Sequence, residues 1–197
     1  MVKPGAMLAT LSDSTTLIAV VGEVDITSNS GGEMNQLIPI VGTTALLGSA
    51  LIGGVFFAFS SFVMKALARI PSSGGIAAMQ SINVVVINPS FLGAFMGTTV
   101  LSLGVIWLAL ARWSHPLSMF FMGAAIFYVV GTFFVTIFRN VPLNNQLAAM
   151  SATDPATRGV WDNYLDRWTM WNHVRAVAAM LAALLYTVGL MQNGGGW

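Results

Sequence analysis

Aromatic side chains recur at helical spacing near the end of the chain and lead to an arginine. Tyr164, Trp168, Trp171 and Arg175 follow the spacing i, i+4, i+7 and i+11, which predicts one shared helix face with Trp161 on its flank. Such a face suits a flat, electron-rich guest. The rings would stack on the guest, and the guanidinium would stabilise an oxyanion.

Asparagine side chains add hydrogen-bonding groups to the same candidate site. Asn172 is expected on the flank of the aromatic face, and Asn83 precedes an apolar segment. Asn140 and Asn144 follow another apolar segment, but Pro142 between them predicts a break in the helix. Amide groups at these positions could donate to carbonyl or phenol oxygens of a guest.

Each of these residues also has a simpler interpretation. Trp and Tyr at a membrane border usually form an aromatic belt. The side chain of Arg175 could extend so that its guanidinium reaches water. Asn145 could cap a helix or lie in a turn. The convergence of three separate segments on one side of the membrane favours a site over any of these interpretations.

Few other residues could carry chemistry. His173 beside Asp162 or Asp166 could do acid–base work, although an interfacial salt bridge is the simpler interpretation. The chain has no cysteine and no HExxH, P-loop or Rossmann motif, so neither a metal nor another cofactor is expected. A net charge of +1 gives no reason to expect nucleic acid as a partner.

The elements that must position these residues are membrane helices. Hydrophobic residues make up 56% of the chain and charged residues 8%, against roughly 25% charged in soluble domains. A span needs about 20 apolar residues, which predicts spans at residues 37–64, 91–111 and 117–138 and a fourth helix from the region 155–161 to 191. Asn88-Pro89 sets off a short helix at residues 75–87. The predicted fold is all-α, a four-transmembrane-helix bundle with a short extra helix before the second span.

Small residues within two spans predict close helix packing. Ala45, Ser49 and Gly53 recur every four positions in the first span. Gly93 and Gly97 form a GxxxG pair in the second span.

Three regions and one orientation are predicted. Residues 1–36 form a polar arm with four of the seven acidic residues, residues 37–192 the membrane domain, and residues 193–197 a flexible tail. The positive-inside rule places the more basic side in the cytoplasm and both termini outside. The chain is thus expected to be a multi-pass protein of the plasma (inner) membrane, surrounded by the lipid bilayer, with its polar site on the cytoplasmic side. The basic residues of that side are Lys65, Arg69, Arg139, Arg158 and Arg167.

Four segments, at residues 62–71, 78–83, 140–145 and 168–175, resemble a known family. Asn-Val-Pro-Leu-Asn begins at Asn140, and Trp-x-x-Trp-Asn-x-x-Arg begins at Trp168. These motifs resemble the anthrone-oxygenase-like family of small four-helix membrane proteins, over about residues 37–191. Lys65 stands where a proline is common in that family, and residues 1–36 have no recognised counterpart.

The resemblance implies a four-helix bundle and oxidation of an anthrone to an anthraquinone by dioxygen, without an obvious flavin or metal. The motif residues carried over by position are Asn83, Asn140, Pro142, Asn144, Trp168, Trp171, Asn172 and Arg175.

Two functions follow from these observations. The first is an oxygenase that binds a planar phenolic or quinone-like polycycle. The second is a non-catalytic membrane subunit that packs against other membrane-protein subunits and binds quinone, pigment or lipid. For the first, the expected catalytic residues are Arg175, Asn144, Asn172 and His173, and the expected binding residues are Tyr164, Trp168, Trp171, Trp161, Asn140 and Asn83.

The orientation leads to a test with fused reporters. A reporter placed after Trp197 should be active only outside the cytoplasm, because four spans return the chain to its starting side. The same reporter inserted after Ser151, between the third and fourth spans, should give the cytoplasmic signal. Cytoplasmic activity after Trp197 would reverse the predicted orientation.

Overall fold

The computed structural model describes residues 26–111 and 117–193, and all of its regular elements there are helical. The chain divides into two compact units, residues 1–38 and residues 39–197. Most of the predicted polar arm, the 112–116 turn and residues 194–197 of the predicted tail lie outside the described residues. The division of the chain into arm, membrane domain and tail stays a prediction.

Four helices are long and apolar enough to cross a membrane, which confirms the predicted fold class. We call them span 1 (Pro39–Leu67), span 2 (Pro89–Ala111), span 3 (Ser118–Ala148) and span 4 (Arg158–Gln192). The predicted short helix is also present, as a connecting helix at Ser72–Val85.

The helices within these spans have the following bounds. Span 1 belongs to a helix that begins earlier, within the predicted arm. The α-helices are Ile26–Ala58, Met64–Leu67, Ser72–Val85, Pro89–Ala111, Ser118–Ile126, Val141–Ala148 and Arg158–Asn193, and a 3-10 turn covers Pro155–Thr157. Three π-helical stretches, Phe59–Val63, Phe127–Phe134 and Thr136–Asn140, interrupt spans 1 and 3.

Asn88 ends the connecting helix and starts span 2. Its Nδ2 donates to the carbonyl of Val85 at 2.9 Å, and its Oδ1 accepts the backbone N–H of Phe91 at 3.0 Å. The side chain thus satisfies backbone groups at both helix ends, which is why the break falls at Asn88-Pro89 as predicted. Asp154 caps the 3-10 turn that precedes the last helix, because its Oδ1 accepts the N–H of Ala156 at 2.9 Å.

Span 3 continues past the point where the sequence predicts its end. Pro142 does not break the helix: the π-helical stretch runs to Asn140, and an α-helix follows directly to Ala148. The N–H of Val141 bonds to the carbonyl of Thr136, five residues earlier. Pro142 then occupies the first turn of an α-helical segment, where a missing N–H is tolerated.

Glycines and other small residues bring the spans close together. A Cβ on Gly48 would collide with Thr98 of span 2, and one on Gly131 would collide with Ala178 of span 4. The predicted stripe in span 1 is buried, and a Cβ on Gly53 would lie 3.3 Å from the Cβ of Ala179. This stripe therefore packs as predicted.

The GxxxG pair of span 2 does not take part in this packing. A Cβ on Gly93 or Gly97 would meet no described atom within 4 Å. Large apolar side chains, such as Val100 and Trp107 of the same span, are exposed. An apolar exterior of this kind suits surroundings of lipid rather than water.

The contrast between these glycines gives a stability test. Gly131→Ala should lower the free energy of unfolding by about 1–3 kcal/mol, because the new methyl meets Ala178, which has no rotamer to change. Gly97→Ala, the matched control, should cost nothing, because its methyl enters open space. Thermal unfolding in mild detergent measures both. Equal melting temperatures for the two variants would contradict the close contact of spans 3 and 4.

Candidate functional site

The centre of the candidate site is a buried arginine on span 4. Arg175 is only 5% exposed. Its Nε donates to Oδ1 of Asn172 at 3.0 Å, and its Nη1 donates to Oγ1 of Thr136 at 3.3 Å. Its guanidinium carbon lies 4.0 Å from the ring centre of Phe56 and 4.8 Å from that of Trp168. Spans 1, 3 and 4 therefore all contact this one charge.

No carboxylate neutralises this charge among residues 26–111 and 117–193. Asp162 and Asp166, considered from the sequence as nearby acids, are exposed. Aromatic faces and neutral oxygens surround the guanidinium instead. A buried charge without a counter-charge is costly and marks a functional site by default in a membrane protein.

Asn172 holds Arg175 and connects span 4 to span 1. Its side chain is fully buried, and its Nδ2 donates to the carbonyl of Phe56 and to Oγ of Ser60, both at 2.7 Å. These contacts lie at the start of the π-helical stretch Phe59–Val63. A π-helix pairs each N–H with a carbonyl five residues back, which disturbs the α-helical pairing at its edge and lets side chains supply bonds there.

Asn140 and Asn144 lie on one face of span 3 and contact span 4. Asn140 Nδ2 donates to the backbone carbonyl of Trp168 at 3.1 Å. Asn144 Oδ1 accepts from the hydroxyl of Tyr164 at 2.9 Å and from Nε1 of Trp168 at 2.8 Å. The two asparagines are four residues apart and lie on the same helix face, because the helix is continuous through Pro142.

The aromatic wall differs from the predicted face in which residues are buried. Trp161, Tyr164 and Trp168 are buried and stack in sequence, with ring centres 5.6 Å and 6.2 Å apart. Trp171, expected on this face, is only half-buried and lies under Arg139, whose guanidinium carbon is 4.7 Å from its ring centre.

Trp161 and Asn172, which are expected on the flank of the face, are both buried, whereas Trp171 is half-buried. The face that packs inward follows Tyr164, Trp168, Asn172 and Arg175, at i, i+4, i+8 and i+11, close to the helical repeat.

Two amide atoms near this wall have no partner among the described residues. Asn83 Nδ2 is a buried donor, and Asn140 Oδ1 is a buried acceptor. Asn83 belongs to the connecting helix and lies beside the hydroxyl of Tyr164. Buried polar atoms are nearly always paired, so Asn83 Nδ2 can donate a hydrogen bond to a guest or to water, and Asn140 Oδ1 can accept one.

Gln80 and Gly75 place the connecting helix over this end of the bundle. Gln80 Nε2 donates to the carbonyls of Leu147 and Met150 at 2.8 Å and 2.9 Å. These carbonyls lie at the end of span 3 and just after it, where a helix end leaves backbone acceptors that side chains can bind. A Cβ on Gly75 would lie 2.8 Å from the ring of Trp161, so the close approach requires glycine.

His173 lies apart from the Arg175 cluster. Its side chain is exposed and lines an open pocket together with Lys65 and Asp166. No ion pair joins His173 to Asp166, although both belong to the described residues. Also within those residues, no group of three His, Cys, Asp or Glu could hold a metal ion.

Sequence analysis missed several residues that contact the arginine network. Phe56, Ser60 and Thr136 contact Arg175 or Asn172 directly. A fourth, Thr132, donates to the backbone carbonyl of Arg175 at 3.2 Å. Small hydroxyl side chains are common in membrane helices and carry no signal of their own. Only the tertiary contacts distinguish these residues.

The fold and this cluster define a four-helix membrane protein with a buried, unneutralised arginine between aromatic and amide side chains. A family model described as anthrone oxygenase matches residues 85–185. The chain belongs to the anthrone oxygenase family. The matched segment contains Asn140, Asn144, Asn172 and Arg175 but excludes Phe56. Neither the curated proteins nor the solved structures include a significant match.

Asn172 provides a test of the network. Asn172→Ala should lower the free energy of unfolding by about 2–5 kcal/mol, because the change removes three hydrogen bonds and leaves Arg175 with fewer partners. Asn145→Ala, which changes an exposed asparagine near the end of span 3, is the control and should change stability by less than about 0.5 kcal/mol. Thermal or denaturant unfolding in detergent compares them. Similar losses for both would remove Asn172 from the structural centre.

Proposed function

We propose that this chain binds a planar phenolic or quinone-like polycycle and oxidises it with dioxygen. The observation that carries the proposal is the Arg175 guanidinium, which is buried without a carboxylate among the described residues. An anionic oxygen of a guest would supply the missing counter-charge. Membership of the anthrone oxygenase family supports the same class of guest.

The guest would bind with its oxygen towards Arg175. Nε and Nη1 already bond to protein atoms, and the fork of the guanidinium has further N–H groups for a guest oxygen. The ring systems of Phe56 and Trp168 beside the guanidinium would contact the flat faces of the polycycle. The unpaired Asn83 Nδ2 is a second donor for an oxygen at the other end.

The reaction consumes one molecule of dioxygen for each ring methylene. The ring methylene loses a proton, and the resulting enolate places its charge on the oxygen that Arg175 holds. The enolate transfers one electron to dioxygen, and the two radicals combine into a carbon–oxygen bond. The protonated hydroperoxide then loses water, which leaves a carbonyl. In balance, one methylene and one dioxygen give one carbonyl and one water, so both oxygen atoms and both hydrogen atoms are accounted for.

Arg175 contributes by stabilising the enolate and therefore makes the carbon acid easier to deprotonate. The sequence makes His173 a candidate for the base, but its exposed imidazole lines the Lys65 pocket and lies apart from the Arg175 cluster. We therefore propose that water at the membrane border accepts the proton that the methylene loses. On this view His173 is dispensable for the reaction.

A non-catalytic subunit is the second candidate function. The outward GxxxG pair at Gly93 and Gly97 favours it, because such a face can pack against a helix of another protein. A subunit of this kind would bind the polycycle without converting it, so a turnover assay separates the two candidates.

Substitution of Arg175 tests the proposed oxidation. Arg175→Lys and Arg175→Leu should each lower turnover of an anthrone about 100-fold or more, because both lose the planar fork of donors to the oxyanion. Oxygen uptake and the quinone absorbance measure turnover in purified protein. His173→Gln and Arg158→Lys are the controls, and both should keep wild-type rates.

Melting curves on every variant show whether a loss of activity comes from the changed side chain alone or from unfolding of the protein. Full activity of Arg175→Lys would reduce this residue to a membrane anchor and end the proposal. A large loss of activity in His173→Gln would restore the imidazole as the base.

A further inference from the structure

A pocket of about 360 Å³ lies between span 1 and span 4, away from the Arg175 cluster. Met64, Lys65 and Ala68 line it from span 1. Span 4 contributes Leu165, Asp166, Thr169, Met170 and His173. The pocket therefore combines an apolar wall with a cation, a carboxylate, a hydroxyl and an imidazole.

The two opposite charges of this pocket do not pair with each other. Lys65 and Asp166 are both exposed, and no nitrogen–oxygen distance between them falls within 4.0 Å. Both face the same space. A guest with one negative and one positive group could contact both charges at once, whereas a simple anion would meet the repulsion of Asp166.

The position of the pocket along the spans corresponds to a membrane border. Lys65 is the first charged residue after the uncharged stretch 37–64 of span 1. On span 4 the pocket residues precede the stretch 176–197, which carries no charge. The charged end of the pocket therefore lies at the height of lipid headgroups, and its apolar wall lies beside the acyl chains.

We propose that this pocket binds the headgroup of an amino-phospholipid, a phosphatidylethanolamine. Lys65 contacts the phosphate, with Thr169 and His173 as further donors. Asp166 accepts hydrogen bonds from the primary ammonium. Met64 and Met170, which lie on the membrane side of Lys65 and Asp166, contact the start of the acyl chains. A choline headgroup fits less well, because its quaternary ammonium has no N–H to donate, and a glycerol headgroup lacks the positive charge.

Native mass spectrometry in mild detergent tests this site. The full chain is mixed with equal amounts of phosphatidylethanolamine, phosphatidylcholine and phosphatidylglycerol of one acyl composition. The protein should retain phosphatidylethanolamine roughly two- to fivefold over each of the others, the range expected for a partly exposed charge contact. Equal retention of the three lipids would overturn the proposal.

Charge-neutral variants identify the contacts. Asp166→Asn should remove the preference for phosphatidylethanolamine over phosphatidylglycerol, and Lys65→Gln should lower retention of all three lipids. Asp162→Asn and Arg158→Gln change the same charges at exposed positions that do not line the pocket, and they should behave as wild type. Wild-type behaviour of Asp166→Asn, or an equal loss in the controls, would contradict the assignment.

A soluble headgroup distinguishes a lipid from a free zwitterion. Glycerophosphoethanolamine, which has no acyl chains, should fail to displace the bound lipid, because the apolar wall requires a chain. Displacement at equal concentration would show that the pocket takes a soluble phosphoethanolamine compound, and the lipid proposal would be wrong.

Discussion

The positive charge of Arg175 is the constraint on which the rest of the bundle depends. A guanidinium inside a membrane bundle must be held by the protein because lipid cannot solvate it. Here the holding groups come from three spans: the ring of Phe56, the hydroxyl of Thr136, and the amide and indole of Asn172 and Trp168. All of them are neutral. None of these groups cancels the positive charge of Arg175. Their contacts with the guanidinium fix the relative positions of spans 1, 3 and 4.

Asparagines and π-helical stretches work together around that charge. Asn172 bonds to the carbonyl of Phe56, and Asn140 bonds to the carbonyl of Trp168, so both amides take up main-chain acceptors of a neighbouring span. Each of the spans 1 and 3 changes from α- to π-helix close to these contacts. π-Helical stretches are frequent at functional sites. In this bundle they occur on the two spans that approach span 4 at the arginine.

The sequence predicts the fold well because hydropathy and helix ends are local properties. The spans and the break at Asn88 follow from uncharged stretches and one asparagine–proline pair. The site is predicted only partly. Arg175 and the asparagines stand out by residue type, but the rule that proline ends a helix fails at Pro142, because it takes no account of a preceding π-helical stretch. Periodicity also places Trp171 on the aromatic face, since it cannot tell which side of a helix its neighbours cover. The contact between Asn172 and Phe56 joins residues 116 positions apart and leaves no local signal.

The amide of Asn172 has a consequence for the electrostatics of the whole Arg175 cluster. Its oxygen accepts a hydrogen bond from Arg175, and its nitrogen donates one to the carbonyl of Phe56. The acceptor thus faces a donor, and the donor faces an acceptor. Aspartate has the same shape and differs by a single atom group. At this position it would form an ion pair with the arginine and would set two oxygens against each other at Phe56. Deamidation of this one side chain would thus turn a positively charged cluster into an electrically neutral one with almost no change in side-chain volume.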